Sequence, residues 1–473
     1  MIMKKIFYLI ALAAIGVFSS CNDFLTADLK GDYTSENYYS SPEAATMAVT
    51  GIYNSLYGST LWIFGDVASD DAVKGGNAGD QADINGINDF TATSDNGIIN
   101  NYWQSTYETI ARANNAIFYI GSMNFDATLR NRLVAEAKFL RAFSYFNLVN
   151  IYGKVPLKLQ PQLTAETVNV GLSEVTAIYT QIEKDLTEAI AVLPAAYSTE
   201  KGRVTQGAAY GLLAKVSLYQ KKYTECLKNI QALENLNKYD LVKNYANLFK
   251  AGAEDSVEVI FGTRFVNSVE VSLGNNLSVW FAPSIEGGYY FNAPTQNYVD
   301  AFNEKTVDGN DDPRLDASIG RDGKPWFNNT TFSSAWSEAT GYLVKKYNED
   351  TRPGVAKDQS TIPYNYMRYA DILLMKAEAL NESGGQGAAL EVNKVRSRAG
   401  LAATTATTQE AIRKVIQNER RKELGFEFHR FFDLMRWGKA TAEAALGSDL
   451  KWTEPRFYFP LPQSELDTNK ALQ

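Results

Sequence analysis

Side chains that share one helical face recur along most of the chain. Trp103, Tyr107, Ile110 and Asn114 fall at i, i+4, i+7 and i+11, which predicts a helix from Ile98. A second is predicted over 127–150, with Leu133, Ala137, Leu140, Phe143 and Leu148 inward, ended by Gly153 and Pro156. A third covers 172–193, through Val175, Tyr179, Ile182, Leu186 and Leu193. A tight pair follows at 204–220 and 222–236, and helices return at 368–383, 386–399, 408–425 and 429–437. Upstream, Ser41-Pro42-Glu43 supplies an N-cap, a proline at the first helical position and an acid in the first turn, so a helix runs from Pro42 to about Tyr57.

Two regions lack the helical period. Residues 58–97 are rich in Gly, Asn and Asp and read as a long irregular loop, and loops of that length are uncommon unless functional or disordered. Residues 251–365 carry a short β-like run (Val257 to Phe261) and then loops that hold Trp280, Trp326 and Trp336. The tail FYFPLP reads as extended. The chain is therefore mainly α, with a helical region at 42–250, a loop-rich insert at 251–365 and a second helical region at 366–473. The helix pairs resemble tetratricopeptide repeats: small Ala209 and Ala377 allow close approach and large neighbours fill the gap. No fixed repeat period recurs, so this is a degenerate repeat rather than an array.

The first residues, MIMKKIFYLIALAAIGVFSSC, change the address. Lys4 and Lys5 precede an uncharged run from Ile6 to Phe18, too short to span a bilayer as a helix, and Ser19-Ser20 lead into Cys21. Residues 1–20 read as a signal peptide with a cysteine at its cleavage site. Cleavage there and diacylation of Cys21 is how bacterial lipoproteins are anchored, and residues 21–41 then form a lipid-anchored tether. The expected location is an outer membrane, held by lipid only and facing the cell exterior. Asn22-Asp23 resembles the surface-export signal of Bacteroidetes lipoproteins.

Composition narrows the chemistry. Loss of Lys4 and Lys5 takes the formal charge from −8 to −10, which argues against nucleic acid as a partner. Cys21 and Cys226 are the only cysteines, so once Cys21 carries lipid no intramolecular disulfide forms. A single histidine, His429, removes most metal sites and histidine-based triads, and no G-x-S-x-G, P-loop or G-x-G-x-x-G is present. Asp83-Ile84-Asn85-Gly86 and Asp308-Gly309-Asn310-Asp311-Asp312 cluster oxygen ligands without matching an EF-hand loop, and read as Asx turns. A glycosidase needs only a carboxylate pair, but nothing in the sequence assembles one. No catalytic residue, cofactor or metal is expected.

Several stretches, in order, resemble the SusD/RagB family of outer-membrane nutrient-binding lipoproteins. They are the Trp103, Tyr107, Ile110, Asn114 helix; AEAKFLRAFSYFNLVNIYGKVPL at 135–157; GRVTQGAAYGLLAKVSLY at 202–219; RYADILLMKAEALNE at 368–382; VNKVRSRAGL at 392–401; NERRKELGFEFHRFFDLMRWG at 418–438; and FYFPLPQSEL at 457–466. No motif aligns through the insert. The resemblance implies a right-handed superhelical helix-pair scaffold with a ligand-binding insert. It also implies a SusC-like TonB-dependent transporter as partner, an oligosaccharide or polysaccharide ligand, and no enzymatic activity. Two rival readings are the same role with a peptide ligand and a periplasm-facing helical scaffold.

The family motif residues themselves read as structural. Asp433 is spaced to pair with both Arg430 and Arg436, and Trp103, Phe431 and Trp437 read as core. His429 reads as a hydrogen-bonded structural side chain, and Arg314, in a D-P-R turn, as structural too. Sugars are gripped by flat aromatic rings with planar polar groups at the rim, and such sites sit disproportionately on loops. The candidate ligand residues are therefore Trp62, Asp70, Asp71 and Lys74 in the first irregular region, and Trp280, Tyr289, Tyr290, Trp326 and Trp336 in the insert.

Overall fold

The computed structural model describes residues 38–56, 60–161, 164–268, 273–447 and 456–473; the signal peptide, Cys21 and the tether up to residue 37 lie outside the described residues. Several helices start where a side chain accepts from a free N–H group. Helix α1 (Pro42–Asn54) is capped by Ser41, whose hydroxyl accepts from Ala44 N at 3.2 Å, and it buries Ala45, Ala48, Val49 and Ile52. Asn96 caps α3 (Gly97–Ser122), after the short α2 (Ala82–Asn88), and Asp126 caps α4 (Ala127–Tyr152). Helices α5 (Val175–Ile190), α6 (Gln206–Tyr219) and α7 (Tyr223–Glu234) follow. The third helix starts at Val175 and not at 172, because Leu172–Ser173 is held extended by pairing with Val155–Pro156.

Helices α3 to α7 stack in chain order, each on its neighbour. Helix α4 is covered by α1, α3 and α5, so its Glu136 and Arg141 are buried and must be paired. The Arg141 fork donates to both oxygens of Asp185 at 2.8 and 2.7 Å and to Asn114 Oδ1 at 2.8 Å. Glu136 accepts from Tyr53 at 2.8 Å and Arg203 at 2.9 Å. The stack then resumes across the insert: α8 (Tyr369–Glu382) packs on α6 and α7, and α9 (Ala388–Arg398) and α10 (Gln409–Leu424) pack on α8. Helix α11 (Arg430–Trp437) leads to the extended tail, where Phe457 and Phe459 are buried.

The insert leaves and re-enters this scaffold at one place. Strand β2 (Val259–Thr263) pairs antiparallel with β4 (Tyr364–Arg368), with register shifts around Phe261. The region 58–97 is not the irregular loop that its composition predicts. Residues 60–76 fold inward: Leu61 to Phe64 are buried, Ile63–Val67 make a wide helical turn, and β1 (Ala72–Gly75) pairs with β3 (Phe291–Pro294) of the insert. Apolar Leu61-Trp62-Ile63-Phe64 drives this burial in spite of the polar sequence after it.

Gly65 sets the depth of that turn. A Cβ at this position would sit 2.3 Å from the Phe428 carbonyl oxygen, a backbone atom that has no room to yield. Gly65→Ala is expected to cost about 1–3 kcal/mol through overpacking, read as a lowered denaturation midpoint. Gly79→Ala, where a Cβ meets nothing within 4 Å, is the control expected to leave the midpoint unchanged.

Candidate functional site

The β1–β3 ribbon brings the two irregular regions together, and aromatic rings collect along it. Trp62 lies beneath, 1% exposed, edge-on to Phe281 with centroids 5.4 Å apart and 5.9 Å from Trp280. Above it Trp280 is half-buried, flanked by Phe291 at 5.3 Å and by Tyr289 at 5.5 Å, whose ring is 51% exposed. The tight return of the chain before these tyrosines needs Gly288, where a Cβ would meet the Ala282 carbonyl oxygen at 2.1 Å. Tyr290 follows at φ +45, its amide donating to Ala282 O and its carbonyl accepting from Gly76 N, both at 3.0 Å. Its hydroxyl donates to Asn77 Oδ1 at 2.6 Å.

Tyr290 also packs on a second aromatic cluster, of Trp326, Phe332 and Leu343 with Phe327 and Trp336 at its edge. Trp326 is buried, with Nε1 donating to Glu286 Oε1 at 2.9 Å. Trp336 is half-buried and stands edge-on to Phe332 at 5.2 Å. Trp280, Tyr289, Tyr290 and Trp336 thus keep ring surface at the solvent boundary, while Trp62 and Trp326 form the bed beneath them.

The polar candidates are already engaged. Arg430 grips Asp70 with two bonds of 2.7 and 2.9 Å, and Arg421 Nε donates to Asp71 at 2.5 Å. Burial opposes the charge on both carboxyls. At Asp70 the Arg430 hydrogen bonds and the charges of Arg430 and Arg421 win and hold it below the usual range; fully buried Asp71 is pushed above it. Lys74 is buried, and its ammonium donates to the carbonyls of Asn77 at 2.8 Å and Asp80 at 2.6 Å, clamping the loop. The sequence reading expected Asp70, Asp71 and Lys74 to meet ligand; here Asp70 and Asp71 lock the ribbon to α10 and α11, and Lys74 holds the loop that follows it.

Arg430 accordingly points away from Asp433. Asp433 pairs with Arg436 at 2.7 Å and with Arg420 at 2.9 Å from α10, which leaves Arg430 for Asp70. Arg314 is fully buried among Asp312, Glu419 and Glu423. The acidic turns also serve the fold: Asp83 accepts from Gly97 N at 3.0 Å, and Asp311 pairs with Lys305 at 2.5 Å. Phe291, Phe332 and Asn77, which the sequence reading passed over, support the rings; the FNAP segment after Gly287-Gly288-Tyr289-Tyr290 was the available signal.

Charges of both signs lie around the aromatic face. Burial, then Glu338 and Asp80, raise the Tyr290 phenol. Neither carboxylate has an ion-pair partner among the described residues, and neither has Lys345, whose ammonium donates to Pro325 O at 2.7 Å and lies 5.9 Å from the Trp326 ring centre; Lys357 pairs with Glu286 at 2.7 Å.

Two family models cover most of the chain. One, described as starch-binding associating with outer membrane, matches residues 23–218, and one described as the SusD family matches 257–449, straight through the insert. The chain belongs to the SusD family. A SusD-like protein of Formosa agariphila is 26% identical over 96% of this chain and 95% of its own length. The crystal structure of a SusD superfamily protein from Bacteroides vulgatus superposes with a TM-score of 0.81 at 26% identity, covering 92% of this chain and 98% of the other. A laminarin-binding SusD-like protein does so with a TM-score of 0.78 at 29% identity, covering 91% and 97%. This SusD-family chain is mostly helical in the same way.

The family's His429 sits at the start of α11, its Nδ1 3.4 Å from Lys215 Nζ, while Lys215 pairs with Asp371 at 3.0 Å. Burial, then the Lys215 charge, pushes the imidazole down to about 3. A depressed histidine is fully stabilising above its unfolded value of about 6.5 and loses that stability as the pH falls towards 3. Buried Asp66, Asp71, Glu136 and Glu258 are raised, mainly by burial, and work in the opposite sense. A comparison with His429→Gln cancels them. Between pH 7.5 and pH 5 the wild type is expected to lose about 2 kcal/mol more than the variant in chemical denaturation.

Proposed function

We propose that this protein is a cell-surface lipoprotein, anchored through Cys21, that captures oligosaccharide or polysaccharide and delivers it to a SusC-like TonB-dependent transporter. The observation that carries this reading is the aromatic face of Trp280, Tyr289, Tyr290 and Trp336, laid over a buried bed and cross-linked to the helical stack. Sugar rings present flat C–H faces to such surfaces, and a preformed platform binds without first ordering its own side chains. The laminarin-binding relative and the starch-binding family description support a glycan ligand, and both support a binding rather than a catalytic role. Outer-membrane association follows the family description; the lipid anchor, outward orientation and transporter partner follow from the leader sequence and the family resemblance.

The test is retardation of residues 22–473 in native gels containing laminarin, starch, mannan, alginate or carrageenan. Retardation by at least one of these polymers is expected. Retardation by none removes the glycan reading.

A further inference from the structure

Beside the aromatic face, the loop that follows β1 is held from within by one cation. The Lys74 side chain is 6% exposed, and its ammonium donates to the carbonyls of Asn77 at 2.8 Å and Asp80 at 2.6 Å. Among the described residues no carboxylate lies within ion-pair distance of it, and it stands 5.5 Å from the centre of the Phe291 ring. Keeping a charge from water without a counter-ion is costly. Residues 77–81, the loop it shapes, are all exposed, so the clamp serves the form of this surface and not the core.

That form is a row of hydrogen-bonding groups continuous with the rings. Tyr290 donates its hydroxyl to Asn77 Oδ1 at 2.6 Å, and Asn77 Nδ2 donates to Asp80 Oδ2 at 3.0 Å. The Asn77 amide is thereby oriented, its oxygen towards the ring and its nitrogen towards the carboxylate. Three positions in the row stay open. Asp80 Oδ1 accepts from nothing among the described residues, one Asn77 Nδ2 hydrogen is unused, and the Tyr290 hydroxyl oxygen can still accept. Asn77 and Asp80 are exposed and Tyr290 is half-buried, so the row faces solvent.

We infer that this row is the polar rim of the glycan site and that Asp80 is its specificity-determining residue. A pyranose laid on the rings beside Tyr290 presents adjacent hydroxyls at its edge. Asp80 Oδ1 accepts from one, Asn77 Nδ2 donates to its neighbour, and Lys74 is the positioning residue that holds both from below. The bond to Asp80 is the stronger of the two because the acceptor is charged. The inference rests on the aromatic face as the glycan site, and adds a group that reads hydroxyls where the rings read only C–H faces.

The test is affinity electrophoresis of residues 22–473 against a polysaccharide that retards the wild type. Asp80→Ala is expected to weaken binding about tenfold or more, and Asp80→Asn, which keeps an oxygen but not the charge, severalfold. Both are expected to melt like the wild type, because Asp80 is exposed and its carboxylate holds only exposed Asn77. Lys74→Met keeps an apolar stem beside Phe291 and removes the clamp, and is expected to weaken binding severalfold. In K74M/D80A the Lys74 loss is expected to be markedly smaller, because the main group it positions is gone. Losses that simply multiply overturn the positioning role. Wild-type binding by D80A, with binding lost in Y289A, overturns the rim and leaves the aromatic face standing; retardation of the wild type by no polymer overturns both. Should K74M fail to fold, D80A and D80N decide: weakening of both at an unchanged melting temperature supports the rim, and wild-type binding by both overturns it.

Discussion

Glu423→Ala is expected to destabilise the protein by about 3–5 kcal/mol, the cost of breaking a buried ion pair from one side. Glu423 is fully buried; its Oε1 accepts from Arg368 Nη1 at 2.5 Å and from Arg398, and its Oε2 from Arg314 at 3.0 Å. Those arginines continue outward to Asp312, Glu419, Glu258 and Glu427, and Glu427 holds Lys346 at 2.7 Å. Removal of the central carboxylate leaves three guanidiniums short of charge where water cannot replace it. A domain is stable by only about 5–15 kcal/mol, so this one change removes much of the margin. Urea denaturation of the soluble chain measures it. The exposed Glu410, paired with Lys414, is the control: its alanine variant is expected to stay within about 0.5 kcal/mol of wild type. A midpoint for E423A equal to that control would show that the network contributes little. Acid has the same target. Burial opposes the charge of Glu423, but Arg398, Arg368 and Arg314 outweigh it and hold the carboxyl well below its usual range. Its contribution is thus complete above about pH 4.5 and lost as the pH falls through the lowered value.

The same network explains what the sequence showed and what it hid. Helices were legible because their apolar faces and caps are local: Ser41, Asn96, Asp126 and Thr408 each precede a periodic run and each caps a helix. The run Glu419-Arg420-Arg421-Lys422-Glu423 has no local meaning. On an ordinary helix it would be a solvated face. Here Glu419 and Glu423 turn to Arg314 of the insert, Arg420 to Asp371, Arg421 to Asp70 and Asp71, and Lys422 to Glu304. These partners lie 49 or more residues away in the chain, and single-sequence periodicity carries no information at that range; further partners, such as Asp433 for Arg420 and Arg398 for Glu423, lie nearer. Asp70 and Asp71 were misread for the same reason: adjacent carboxylates in a polar stretch look available until Arg421 and Arg430 arrive from the other end of the chain. Of the aromatic candidates, residue type could name the set but not its layering. Trp62 and Trp280 are in contact, yet one is bed and the other surface.

That layering has a mechanical consequence. The insert hangs from the β2–β4 ribbon, is stitched to the first irregular region by β1–β3, and is pinned through Arg314 and Lys346 to carboxylates at 419–427. Two backbone ribbons and a set of buried ion pairs hold one loop-rich segment on a rigid stack. Rings seated this way lose little freedom when a ligand arrives, so binding energy is not spent on ordering them.

The aromatic face should accordingly fail ring by ring. With a retarding polysaccharide in hand, Trp280→Ala is expected to weaken binding by about 30-fold or more, since truncation of a central aromatic anchor costs about 2 kcal/mol or above. Trp280 also rests on Trp62 and Phe291, so its loss disturbs the bed as well as the surface. Tyr289→Ala separates the two effects. Its ring is 51% exposed and touches the cluster only edge-on at Trp280, so the variant is expected to melt like wild type. A clear loss of affinity in Y289A at unchanged stability places the glycan on this face. Trp336→Ala then measures how far the ligand extends. A chain that crosses Tyr290 to reach the second cluster loses affinity in both W280A and W336A, whereas a short ligand at the first cluster is indifferent to Trp336. Retention of full affinity by W280A and Y289A together would remove the face from the binding site, because no polymer stacked there could ignore the loss of both rings.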